Sequence, residues 1–133
     1  MKLDFAFICD YAEVAGKIHA LGIGFDTIYS PEVPTKHPLF FLVMQLRVNV
    51  VEAGEKSLEV RLIDEDGADV IPTARAKFTI QRPSEGTQSI GRIALALRNV
   101  DFPRYGSYSL HAVIDGHEML DISLKVSPPP QKK

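Results

Sequence analysis

From Tyr105 to Val126 apolar and polar positions alternate in two arms around Asp115-Gly116. Tyr108, Leu110, Ala112 and Ile114 recur at every second position on one arm, and Leu120, Ile122, Leu124 and Val126 do so on the other. A period of two is that of a half-buried strand, so the segment predicts a β-hairpin whose two apolar faces meet one core. Parity then constrains the turn. A two-residue Asp115-Gly116 loop sets Leu110 opposite Asp121 and Tyr108 opposite Ser123, apolar against polar. A three-residue loop of Ile114, Asp115 and Gly116 sets Leu110 opposite Leu120 and Tyr108 opposite Ile122, with Gly116 at the positive φ of a G1 bulge. The three-residue register is expected, because a slip of one residue turns the whole apolar set towards solvent.

The same period runs through most of the chain. Leu3, Phe5, Phe7 and Cys9 alternate, Ala12 to Gly16 reads as a turn into a strand over Lys17 to Leu21, and Gly22 to Tyr29 reads as an extended stretch with two glycines. Pro31, Pro34 and Pro38 cannot donate to a central ladder and mark a crossover loop. In Leu39 to Val50 the even positions stay apolar, while the odd ones pass from Leu39, Phe41 and Val43 to Gln45, Arg47 and Asn49. This strand is expected to begin buried on both faces and end buried on one. Leu58 to Leu62, Ala76 to Ile80 and Ile93 to Leu97 alternate likewise, separated by the turn formers Asp64 to Gly67 and Pro83 to Gly86. The count is about eight strands, at spacings that predict an all-β antiparallel sandwich. Gly106-Ser107-Tyr108-Ser109-Leu110 resembles the tyrosine corner of immunoglobulin-like domains, in which the tyrosine hydroxyl bonds back to the upstream backbone. Leu110 stands where antibody domains carry a cysteine, and the chain has no Trp, so the immunoglobulin-like likeness is to the sandwich alone.

At 133 residues the chain fits one domain, read here as residues 1–127, with Pro128 to Lys133 as a polar tail expected to stay disordered. Seventeen acidic and fifteen basic residues leave a net charge of −2, and the arginines are dispersed along the sequence. Nucleic-acid binding draws on clustered positive charge, so a nucleic-acid partner is not expected. The single cysteine, Cys9, forbids an internal disulfide and continues a strand alternation, which predicts a buried thiol in a reducing compartment. Asp4 interrupts the N-terminal apolar run, and no run reaches membrane-spanning length. A soluble, cytoplasmic protein without a membrane partner is expected.

Candidate chemistry is sparse. Asp64, Asp66 and Asp69 form the acidic cluster that a Ca²⁺ site would draw on, but its glycine comes fourth, and Arg75 stands at the twelfth position where a glutamate would complete the loop. A solvated turn is the expected role. His19, His37, His111 and His117 lack metal-ligand spacing, and in the three-residue register His111 faces Met119. Gly22-Ile23-Gly24 lacks the lysine and helix of a phosphate loop, and no hydrolase or metalloprotease signature occurs. No cofactor and no catalytic residue is expected. Phe102, Arg104 and Tyr105, in the loop before the tyrosine corner, and Tyr29 beside the proline loop are the candidate interaction residues, since tyrosine and arginine are favoured at interfaces.

Asp4 to Ala12, Gly16-Lys17, Leu21 to Asp26, Phe102 to Tyr108 and Asp115-Gly116 together resemble a family of small bacterial proteins known only as a domain of unknown function. That resemblance implies a stand-alone bacterial protein and brings no activity with it. The expected function is a non-catalytic interaction module whose partner is another protein, or a second copy docked on a sheet edge. Two alternatives stand beside it: a β-sandwich that binds Ca²⁺ or a small ligand, and an enzyme whose site is assembled from scattered loop residues.

Overall fold

The run that is apolar on both faces becomes strand β5 (Thr35–Asn49), the middle strand of a sheet with β1 (Lys2–Cys9) and β8 (Gln88–Phe102) on either side. The computed structural model describes residues 1–130, and of the predicted tail at 128–133 the last three residues lie outside the described residues. A second sheet has the order β4-β10-β9-β6-β7 (Thr27–Tyr29, His117–Ser127, Gly106–Ile114, Gly54–Asp64 and Ala74–Ile80). All its pairings are antiparallel except that of β4 with β10. A separate hairpin joins β2 (Tyr11–Ala15) to β3 (Lys17–Leu21). The protein is all-β, with ten strands among the described residues where about eight are predicted. The surplus comes from Tyr11–Ala15, a strand where a turn is expected, because only Gly16 is needed to reverse the chain, and from Thr27–Tyr29, a short strand within the expected extended stretch.

Two apolar clusters lie on opposite faces of β5. On one, Phe40, Leu42, Met44 and Leu46 are fully buried against Leu58, Val60 and Leu62 of β6, Leu110 and Ile114 of β9, and Leu124 and Val126 of β10. On the other, Phe41 and Val43 join Cys9 beneath Ala12, Ile18 and Ala20 of the β2–β3 hairpin. Cys9 is fully buried, as its strand alternation predicts, and desolvation pushes its thiol pKa above the ordinary value. Leu3 departs from its predicted face. A bulge between Leu3 and Phe5 sends Leu3 to the inter-sheet core and leaves Phe5 and Phe7 on the outer face.

The C-terminal hairpin corrects the predicted register. Asp115 (φ 48°) and Gly116 (φ 82°) form a two-residue turn with Ile114 opposite His117, and the bulge that restores parity lies between Glu118 and Leu120. Beyond it Leu120 faces Ala112, Ile122 faces Leu110 and Leu124 faces Tyr108, so apolar meets apolar. Asp115 also ties the turn to β6, accepting the Ser57 N–H at 2.9 Å and donating its own N–H to the Ser57 carbonyl at 3.0 Å. The tyrosine corner forms: the Tyr108 hydroxyl donates to the Arg104 carbonyl at 2.6 Å and accepts the Arg104 N–H at 3.2 Å. At the opposite end Gly91 of β8 leaves room for Ile80 of β7, whose Cδ1 lies 3.0 Å from where a Cβ would stand.

Tyr108→Phe removes both backbone partners at the corner and is expected to destabilise the protein by roughly 1–3 kcal/mol in denaturant melts; an unchanged midpoint would show the corner to be energetically idle. Gly91→Ala crowds Ile80 and is expected to cost roughly 1–3 kcal/mol, with partial rescue by Ile80→Val in the same measurement. The pH dependence comes from His37, which lies against the rings of Phe25 and Phe40 with centroids 6.2 and 5.7 Å away. Desolvation holds its pKa below the ordinary 6.5, with Asp10 and the Leu39 backbone opposing. The unfolded chain then binds the proton more readily than the folded one, so stability falls as pH drops below about 6.5. Asp4 and Glu52 are depressed by hydrogen bonds from Gln45 and from the Asn49 backbone. Their contribution is lost only at lower pH, below the ordinary carboxylate values. The melting temperature should therefore fall in two stages on acidification, and His37→Gln should abolish the first.

Candidate functional site

The outer face of the five-stranded sheet carries the polar half of each alternation. Opposite the buried Tyr108, Leu110 and Ala112 stand Ser107, Ser109 and His111 of β9, and opposite Leu124 stand Ser123 and Lys125 of β10. Ser109 pairs across the ladder with Ser123, Ser107 with Lys125, and Lys125 with Thr27 of β4. Serine projects little from a sheet, so this part of the face is a trough bounded by longer side chains. Asp26 and Thr27 form one wall and Asp64, Glu65 and Gly67 the other, enclosing a groove of about 560 Å³ whose lining includes Ile63 and His111.

The acidic turn forming the second wall is satisfied from within. Asp64 accepts the N–H groups of Asp66 and Ala68 at 2.9 Å each, and Arg104 Nη2 at 3.0 Å. These bonds, the one from Ala68 foremost, hold the Asp64 carboxyl below the usual range although desolvation works against them. Glu65 accepts the Ser107 N–H at 2.7 Å and so locks the turn to β9. Asp66 lies 3.5 Å from Arg104, while Asp69 is bound to Arg61 at 3.1 Å. The three aspartates picked out as metal candidates thus turn to two arginines and to backbone N–H groups. Among the described residues no group of three or more His, Cys, Asp or Glu side chains is arranged to hold a metal ion.

His111 is the groove residue whose surroundings differ most from the predicted register. The bulge in β10 sets it opposite Asp121 instead of Met119. Its Nδ1 is 2.6 Å from Glu118 Oε1, and its Nε2, 3.9 Å from Asp121 Oδ1, is shielded from solvent with no hydrogen-bond partner among the described residues. An ionised Glu118 accepts only, so in the neutral ring Nδ1 carries the proton and Nε2 the lone pair. The three serines are visible in the sequence as short hydroxyls at alternate polar positions. What links them is cross-strand pairing, which the three-residue register conceals.

The predicted interaction residues divide. Phe102 is fully buried, edge-to-face on Tyr108 with centroids 5.0 Å apart, and is corrected to a core residue. Arg104 holds the acidic turn. Tyr105 and Tyr29, 38% and 57% exposed, are drawn to one end of the molecule, because the Tyr105 hydroxyl donates to the carbonyl of Ser30, next to Tyr29, at 2.8 Å.

Among solved structures, this chain is similar to the alkylpurine DNA glycosylase AlkC of Pseudomonas fluorescens bound to DNA containing an abasic site analog, at 14% identity and a TM-score of 0.42. The likeness covers 75% of this chain and 27% of that one, and at this level it carries no argument about activity. The partner expectation is corrected: that structure is a DNA-bound protein, a likeness too weak to argue either for or against nucleic acid here, and nothing among the described residues places a protein or a second copy on a sheet edge. Edge strand β7 instead turns Arg75 and Lys77 to solvent, the charged surface with which edges resist pairing. No helix among the described residues is long and apolar enough to cross a membrane. No curated protein matches the chain. Residues 4–127 match DUF6941, and the chain belongs to this family of unknown function.

Proposed function

We propose that this protein is a non-catalytic binding domain that takes a small polar ligand into the serine-floored groove, on a sandwich of immunoglobulin-like strand order. The order β1-β5-β8 facing β4-β10-β9-β6-β7 supports the second part, since it is the arrangement A-B-E facing A′-G-F-C-C′. The tyrosine corner at the start of the strand equivalent to F supports it too. The free, buried Cys9 favours a reducing compartment, in keeping with a cytoplasmic location.

The observation that carries the functional reading is the groove itself. Its volume lies within the range of small-molecule sites, roughly 300–1,000 Å³. Its floor and walls offer the hydroxyls of Ser107, Ser109, Ser123 and Thr27, the ammonium of Lys125 and the carboxylate of Asp26. Such a lining matches a hydroxyl- or amine-bearing molecule and suits an apolar one poorly. Catalysis is the weaker reading. The Glu118–His111 pair has the form of an oriented base, but no hydroxyl lies within hydrogen-bond distance of Nε2 to be activated.

Thermal-shift measurements against mono- and disaccharides, amino acids and polyamines test this reading. A compound present at about a hundred times its Kd should stabilise the fold by about 2.7 kcal/mol, a shift of several degrees. Ser109→Trp fills the trough from an outward position and should abolish that shift while leaving the unliganded melting temperature nearly unchanged. No shift with any compound, or a shift that survives Ser109→Trp, would overturn the assignment.

A further inference from the structure

On the other side of the molecule the β2–β3 hairpin covers only part of the outer face of the three-stranded sheet. Beyond its reach lie two cross-strand rows, Lys2–Arg47–Ile90 and Phe5–Gln45–Arg92. Phe5 is 40% exposed and Ile90 37%, and the Phe5 ring stacks on Phe7 with centroids 6.0 Å apart and planes within 10°. Around these rings runs a hydrogen-bonded ladder. Asp4 Oδ2 accepts Arg47 Nε at 2.8 Å and Gln45 Nε2 at 2.9 Å, and Gln45 Oε1 accepts Arg92 Nε at 3.0 Å.

Both arginines are therefore anchored through Nε, and the terminal nitrogens of neither have a partner among the described residues. A guanidinium fixed in this way presents its outer edge to a phosphate with little ordering left to do. Lys2 adds a third positive charge, against the single carboxylate of Asp4 within the patch. Glu52, at the far margin beside Lys2 and Arg47, is held by the N-terminal ammonium at 3.3 Å and by the Asn49 N–H at 3.2 Å. The patch is thus positive on a chain of net charge −2.

We propose that this face binds single-stranded nucleic acid, with unpaired bases stacked on Phe5 and phosphates held by Arg47, Arg92 and Lys2. An exposed ring flanked by phosphate-directed guanidinium groups meets both halves of a nucleotide, whereas an acidic peptide would use the charges and leave the ring idle. A duplex keeps its bases in its own stack and offers the ring nothing.

The test uses the full chain and the fluorescence anisotropy of a labelled oligothymidylate of about twenty nucleotides. Saturable binding is expected, weakening about tenfold between ~50 and ~200 mM salt as two to three phosphate contacts are screened. Arg92→Glu, a surface change, and Phe5→Ala, checked for folding by its melting curve, should each weaken binding about tenfold or more. Arg75→Ala, on the opposite sheet, should leave it unchanged. No binding at about 0.1 mM protein, indifference to both variants, or equal competition by duplex DNA or polyglutamate would overturn the proposal. The serine groove faces away from this patch, so Ser109→Trp should not alter binding of the oligonucleotide.

Discussion

β5 must serve two cores at once for half its length and one core thereafter, and this division of labour arranges everything around it. Its even positions, Phe40 to Leu46, fix the distance to the five-stranded sheet. Its odd positions Phe41 and Val43 would face water if the β2–β3 hairpin did not fold over them, at roughly 1.5–3 kcal/mol for each large side chain left exposed. The hairpin therefore sits where the odd positions are apolar. Where they become Gln45 and Arg47 no cover is needed, and the sheet face stays open. One change of residue class along a single strand thus decides which part of that face is core and which is free surface.

Strand existence is legible because burial imposes a period of two, and that period survives in sequence wherever a strand has one wet face. The bulges are harder to place. Two interruptions, near Asp4 and at Met119, each insert one residue and exchange the faces of the residues on either side. Parity reveals that an insertion must occur, as it does for the C-terminal hairpin, but it is indifferent to where. The turn is the natural local choice for the insertion, because Asp-Gly also suits a bulged loop. The contacts of Asp115 with Ser57 of β6 favour a tight turn instead, and these are tertiary. Local sequence therefore predicts the need for the bulge, and the neighbouring strand selects its position.

The same shift explains why the groove is partly hidden in the sequence. With the insertion at the turn, His111 faces Met119, an unremarkable pair; with it at Met119, His111 falls between Glu118 and Asp121. Tyr108 is the counterexample. Its partner, Arg104, is four residues away, so the corner motif can be read without any strand register. Features made within a few residues are visible in the sequence, and those made across a ladder are visible only as far as the register is right.

Charge obeys the same rule. Lys2, Arg47 and Arg92 are separated by about forty-five residues at each step, and in one dimension they count as dispersed. A clustering test along the chain can detect a basic patch only when it is built from one element, such as a helix. In a sandwich, neighbours on a face come from strands joined by long connections, so adjacency depends on which residues share a row. Two rows of the β1-β5-β8 ladder bring these cations together around Phe5, while the surplus acidic residues lie elsewhere. Net charge and linear spacing therefore set the average potential of an all-β surface, and the register of its sheets sets where that potential changes sign.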